Sequence, residues 1–217
     1  MPAGSTWSAT LPSVVSRDCE RSVRLLMMTL AQHRRAEAAF VLKVPVTGRL
    51  KVLPPGYEQR QVRCAAMLTR LVSIMESYVH GQLVQRLELL IPPPRSDLLE
   101  TLYVQFEDKG TSSWVEMANY FKKHVSNTVQ IKTYAQWDQV NAVIEARNAI
   151  VHGLGSFTSK QVRRSANANA APHLRRLAFY VPSNAQHVSV TSEALDATAT
   201  LLRNYMEWLD RLLAGVS

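Results

Sequence analysis

Residues 68–83, LTRLVSIMESYVHGQL, place Leu68, Leu71, Val72, Met75, Val79 and Leu83 three or four positions apart. That spacing keeps side chains on one face of an α-helix. The register continues to Leu87, and the helix is expected from about Tyr57 to Leu90, where the prolines at 92–94 stop it. A helix this long with a continuous apolar stripe sets the class as mainly α: its stripe has to be covered by other helices laid along it.

The flanking sequence supplies those helices. Upstream, KVPVTGRLKVLPPG (43–56) carries three prolines and two glycines and reads as a break, preceded by a helix from about Asp18 to Phe40 centred on VRLLMMTLA (23–31). Residues 1–17 are rich in Ser, Thr and Pro and are expected to be a disordered tail, leaving 18–217 as a single domain. Downstream, Ser96 caps a short helix carrying Leu99, Leu102 and Phe106. Ser113 and Glu116 form a capping box for the next, with Trp114, Met117, Ala118, Phe121 and Val125 as its stripe. Thr133 and Gln136 suggest a third such start, for a helix over 133–152. The segment 153–172 reads as a loop, RRLAFYV (175–181) and HVSV (187–190) as the strands of a short hairpin, and Thr191 or Ser192 as the cap of a last helix. The expected fold is an antiparallel helical bundle with a small late β-hairpin before the C-terminal helix.

Composition narrows the function. The 217 residues are 47% hydrophobic, enough for a sizeable core, and carry a net charge of +8. Such a balance favours a polyanionic partner, RNA or DNA. Between Glu145 and Glu193 no acidic residue occurs, while Arg147, Lys160, Arg163, Arg164, Arg175 and Arg176 all fall there. Cys19 and Cys64 lack metal or redox spacing and read as reduced thiols of a cytoplasmic protein. No secretory leader and no membrane-spanning run is evident, no Gly-rich phosphate loop is present, and no nucleotide cofactor is expected. Glu76 and His80 are four residues apart on one helix, but no second His or Cys pair stands at ligand spacing, so no metal is expected.

The stretch EARNAIVHGLG (145–155) ends the helix over 133–152. Trp137, Val140, Ile144 and Val151 are expected on its core face, and Asn141, Glu145, Asn148 and His152 form a polar ridge beside them. Gly153 would stop it. Arg147 offers a permanently charged planar fork for phosphate oxygens, and His152 an imidazole that titrates near neutrality. Glu76, bordering the apolar face of its own helix, would need a buried partner, for which Arg147 is the candidate. A plainer reading also exists: cations close to a helix C-terminus complement its dipole.

RNAIVH (147–152) resembles the signature of the HEPN superfamily, an Arg, a polar residue that is often Asn, and a His four to six positions after the Arg. The helix containing Glu76 and Tyr78 is similar to the family's earlier helix, with its acidic residue followed by an aromatic, and the late hairpin is similar to the RiboL-PSP branch. The resemblance covers roughly Arg60 to the C-terminus. It implies metal-independent RNA cleavage by a homodimer, with Arg147 and His152 as catalytic positions accompanied by Asn148, and with Glu76 and Glu145 in support. Lys160, Arg163, Arg164, Arg175 and Arg176 would hold RNA. A toxin or antiviral role, with an antitoxin or regulatory partner, follows from the same resemblance. Some HEPN toxins carry a modifiable Tyr two residues after the His; Leu154 stands there in this chain. The competing expectation is a non-catalytic HEPN-like module that binds RNA or a protein.

Overall fold

The computed structural model describes residues 15–39, 57–157, 170–182 and 187–215. Its helices are α1 (Arg17–Ala39), α2 (Tyr57–Leu90), α3 (Asp97–Thr111), α4 (Trp114–Tyr120), α5 (Trp137–Gly153), α6 (Ala170–Arg176) and α7 (Ser192–Ala214). A π-helical turn, Phe121–Val125, prolongs α4. No helix among the described residues is long and apolar enough to cross a membrane.

The stripe of α2 is the spine. Leu68, Leu71, Val72, Met75, Val79, Leu83 and Leu87 are all buried, covered by α1 and α7 along one side and by α5 and the α3–α4 corner on the other. Polar contacts set the directions. The start of α2 meets the start of α7 through Arg60 and Ser192 (3.0 Å), and the end of α1 meets the start of α7 through Arg34 and Asp196. At the other end Arg86 donates to the carbonyl of Leu213 (3.0 Å), and the Ser16 backbone N–H donates to Asp210 (2.7 Å). Thus α2 and α7 run the same way and α1 runs against both. Asp210 is buried and accepts from Ser16 and from the Tyr78 hydroxyl (2.8 Å), which satisfies its charge. Ser16 therefore anchors the chain at residues that the sequence placed in a tail; residues 1–14 lie outside the described part.

Several local expectations are met. Ser96, Ser113 and Thr191 each cap through the side-chain oxygen, accepting from Leu99, Glu116 and Ala194 respectively. Others are corrected. The helix expected from Thr133 begins at Trp137, because Thr133 turns back to donate to the Gln130 carbonyl (2.8 Å) and Gln136, at the cap, makes no side-chain bond to the helix, its amide oxygen accepting from the Tyr134 hydroxyl (3.1 Å) instead. Leu99 and Leu102 face solvent, at 43% and 36% exposure, while Tyr103 and Gly110 make the buried contacts of α3. A Cβ at Gly110 would lie 2.9 Å from the Tyr120 ring, so the absent side chain is what lets α3 approach α4.

The late hairpin is replaced by something smaller. Residues 170–176 are helical, Ala178 takes a left-handed φ of 62° to reverse the chain, and Tyr180 and Ser189 then exchange one antiparallel pair of hydrogen bonds (3.1 and 2.9 Å). Ser156 and His187 form a second antiparallel bridge, beside which the Val188 N–H donates to the Gly155 carbonyl (2.8 Å), and no longer strand occurs among the described residues. The intended turn at 183–186 lies outside them. The Ala-rich start and Leu174 favour a helical turn packed on α5 over an extended strand.

Candidate functional site

Glu76 lies midway along α2, on the side opposite the α1–α7 contact, and both its oxygens are spoken for. One accepts from Nη2 of Arg147 in a salt bridge, the other from the indole Nε1 of Trp114 (3.1 Å). The Glu76 and Arg147 side chains are 17% and 20% exposed, so the pair is mostly withdrawn from water and the guanidinium is held in one orientation. Its Nε is buried and has no acceptor. Tyr78, two residues further along α2, points to the other side and serves Asp210; burial pushes its hydroxyl well above the ordinary phenol range. The acidic and aromatic positions of that helix therefore belong to different faces.

The ion pair forms the floor of a cleft of about 830 Å3. Glu76 and His80 line it from α2, Ser112, Ser113 and Trp114 from the α3–α4 corner, and Lys132 from the loop before α5. The α5 wall contributes Trp137, Asn141 and Glu145, with Asn148 and Arg147 beyond them. Trp114 and Trp137 pack against each other with ring centroids 5.5 Å apart, and Tyr205 lies beneath both. These aromatics are thus wall as well as core, a double role that apolar periodicity alone does not reveal.

Three of the four ridge residues, Asn141, Glu145 and Asn148, line the cleft; His152 does not. It is exposed on the last turn of α5, beside Val151, which is 48% exposed and not in the core as its spacing predicts. Gly153 remains helical, and the reversal falls on Leu154 (φ 51°) and Gly155 (φ 88°). A Cβ on Gly155 would meet the His187 ring at 2.7 Å, so glycine is required there.

His80 is the imidazole that the cleft contains. Burial pushes its pKa below the ordinary value, more strongly than neighbouring Glu76 pulls it up, so it is neutral at pH 7 and able both to donate and to accept. With both oxygens of Glu76 engaged, Glu76 and His80 do not present a paired ligand set for a metal. Burial also raises both thiols, Cys19 to about 12, which keeps them protonated and poor nucleophiles.

Of the expected RNA contacts, Lys160, Arg163 and Arg164 lie outside the described residues. Arg175 donates to the carbonyls of Val181 and Pro182 (3.1 and 2.9 Å) and thereby clamps the turn after α6; Arg176 is exposed. Comparison with protein-family models, with curated proteins and with solved structures finds no match to this chain.

Proposed function

We propose that the chain is a metal-independent endoribonuclease that works as a homodimer, in the manner its HEPN-like motif implies, with toxin or antiviral defence as its setting. The carrying observation is Arg147, fixed by Glu76 in the cleft floor with Asn148 beside it, while His152 stands uncovered one turn beyond. In the reaction the RNA 2′-oxygen bonds to phosphorus as its proton passes to one imidazole. The bond from phosphorus to the 5′-oxygen breaks, and that oxygen takes a proton from a second imidazole, leaving a 2′,3′-cyclic phosphate and a 5′-hydroxyl. Arg147 offsets the charge that builds on the phosphorane oxygens. Positioned acid–base groups of this kind are worth about 10²- to 10⁴-fold each.

Helix geometry favours two chains over one. His152 lies five positions after Arg147, which turns them about 140° apart and offsets them by roughly 7.5 Å along the axis. A two-fold partner can bring its His to the first chain's phosphate and supplies the second imidazole.

The test is cleavage of an RNA pool in EDTA by wild type and by His152→Ala, with product ends identified. His152 is exposed, so its removal should leave stability within about 0.5 kcal/mol and loss of cutting reads chemistry. Cutting that survives in His152→Ala sinks the assignment. The second reading, a module that binds RNA without cutting it, is favoured by the position of His152 outside the cleft. Intact RNA with a folded, dimeric wild type would select it.

A further inference from the structure

We propose that His80 is the base that starts the cutting, taking the proton of the RNA 2′-hydroxyl at a phosphate held on Arg147 of the same chain. His152 of a second copy then protonates the departing 5′-oxygen. The inference rests on the RNA-cleaving reading and adds the group that opens the reaction. A phosphate on Arg147 is reached by one His152 from the partner, while the chain's own His152 lies outside the cleft. The reaction needs a second imidazole at that phosphate, and His80 lines the cleft together with Arg147.

The placement follows from α2. His80 stands four residues after Glu76, which sets the two on one helix face with Cβ atoms about 5–6 Å apart. Glu76 holds Nη2 of Arg147, so imidazole and guanidinium flank the same carboxylate. The Nη1 of Arg147 has no hydrogen-bond acceptor among the described residues, and the His80 ring makes no hydrogen bond to them. Both oxygens of Glu76 already accept, from Arg147 and from Trp114. The carboxylate therefore anchors, and the unengaged imidazole one turn on is the acceptor left for a proton.

Protonation divides the roles. The charged groups that line the cleft with His80 are Glu76 on its own helix, Asp138, Glu145 and Arg147 on α5, and Lys132 on the loop before α5; the α3–α4 corner adds none to the lining. Burial outweighs the pull of Glu76 and leaves the ring neutral at pH 7, the form with a lone pair for a proton. An acid has to enter the reaction charged, so a ring kept neutral by burial is suited to accept and not to donate. As the 2′-oxygen bonds to phosphorus, its proton passes to His80, which becomes an imidazolium beside Glu76. The bond from phosphorus to the 5′-oxygen breaks, and that oxygen takes its proton from the second copy's His152, which ends neutral. Proton exchange with water returns both rings to their starting forms.

RNA with a 5′-thio linkage separates the two roles, because a thiolate leaves without being protonated. That RNA and ordinary RNA are offered in EDTA to the full chain as wild type, His80→Gln and His152→Ala. On ordinary RNA, His80→Gln should lose about 10²- to 10⁴-fold in kcat while its RNA affinity stays near the wild-type value. The thio linkage should restore His152→Ala and leave His80→Gln slow. The wild-type rate should fall on the acid side as His80 takes up a proton, and His80→Gln should lack that limb. One further readout needs no variant to fold: the His80 ring signals in the nuclear magnetic resonance spectrum of the wild type should shift when uncleavable 2′-O-methyl RNA is added. Ordinary RNA cut at the wild-type rate by a folded His80→Gln, recovery of that variant on the thio linkage, or a His80 signal that RNA leaves unmoved overturns the proposal. In each of those cases the nuclease reading stands if His152→Ala is silent on ordinary RNA. Wild type that leaves RNA intact removes the nuclease reading and this assignment with it.

Discussion

Replacing Glu76 by Gln isolates the charge of the ion pair, since the amide oxygen can still accept from Trp114 while Arg147 loses its counter-ion. Breaking one half of a fully buried pair costs about 3–5 kcal/mol, because the survivor is left charged in a poor solvent. Here the side chains are 17% and 20% exposed, so some water reaches both, and we expect a loss of about 2–3 kcal/mol. The buried, unpartnered Nε of Arg147 argues against rescue by a rearranged guanidinium. Arg147→Met should cost a similar amount, stranding the carboxylate on Trp114. The double variant removes both charges and should fall well short of the sum, with a coupling of about 2 kcal/mol. Urea unfolding of the four proteins at pH 7, followed by far-UV circular dichroism, measures this directly; in a thermal scan each single variant should fall by about 5–10 °C. Additive losses, or a Glu76→Gln cost under about 0.5 kcal/mol, would mean that the pair is not what fixes Arg147, and the case for a preorganised phosphate site would go with it.

Two further outcomes follow from backbone and burial. Leu154 holds a left-handed φ at 93% exposure, so Leu154→Gly should remove strain without losing packing, stabilising by about 1 kcal/mol in urea unfolding; a destabilised variant would refute it. Burial lowers the pKa of both His33 and His80 in the folded chain. The unfolded histidines therefore take up protons first, at about pH 6.5, and the stability tied to these groups is complete above that value and lost as pH falls through it toward the folded pKa values. The urea midpoint should drop between pH 7.5 and 5.5, less steeply in His33→Gln/His80→Gln; a midpoint that rises on acidification contradicts the sign.

The spacing in α2 was enough to identify the spine, because a stripe repeated over so many turns must be covered along its whole length, and Leu68 to Leu87 are buried. The Ser and Thr caps were legible for a local reason, as each satisfies the N–H three residues on. The segment around 175–181 was not. Aromatic and β-branched residues there suit a strand, yet the Ala-rich run just upstream starts a helical turn that Leu174 anchors, and tertiary packing overrode the local preference.

The remaining misses share one cause, which also bears on the site. Periodicity gives the angle of a residue about its helix but not how far the covering neighbours extend along the axis. Leu99 shares a face with Tyr103 and Phe106 yet stands exposed at the first turn of α3, and Val151 repeats the register of Trp137 yet protrudes at the last turn of α5. His152 obeys the same rule: its angle matches Asn141, Glu145 and Asn148, but the cleft ends before it. For a structural helix end this exposure is merely tolerated. For the acid–base role proposed for His152, which has to reach a phosphate held by a second chain, it is a requirement, since an imidazole covered by its own protomer could not cross to the other; the uncovered end of α5 is the geometry that the proposed two-chain centre needs.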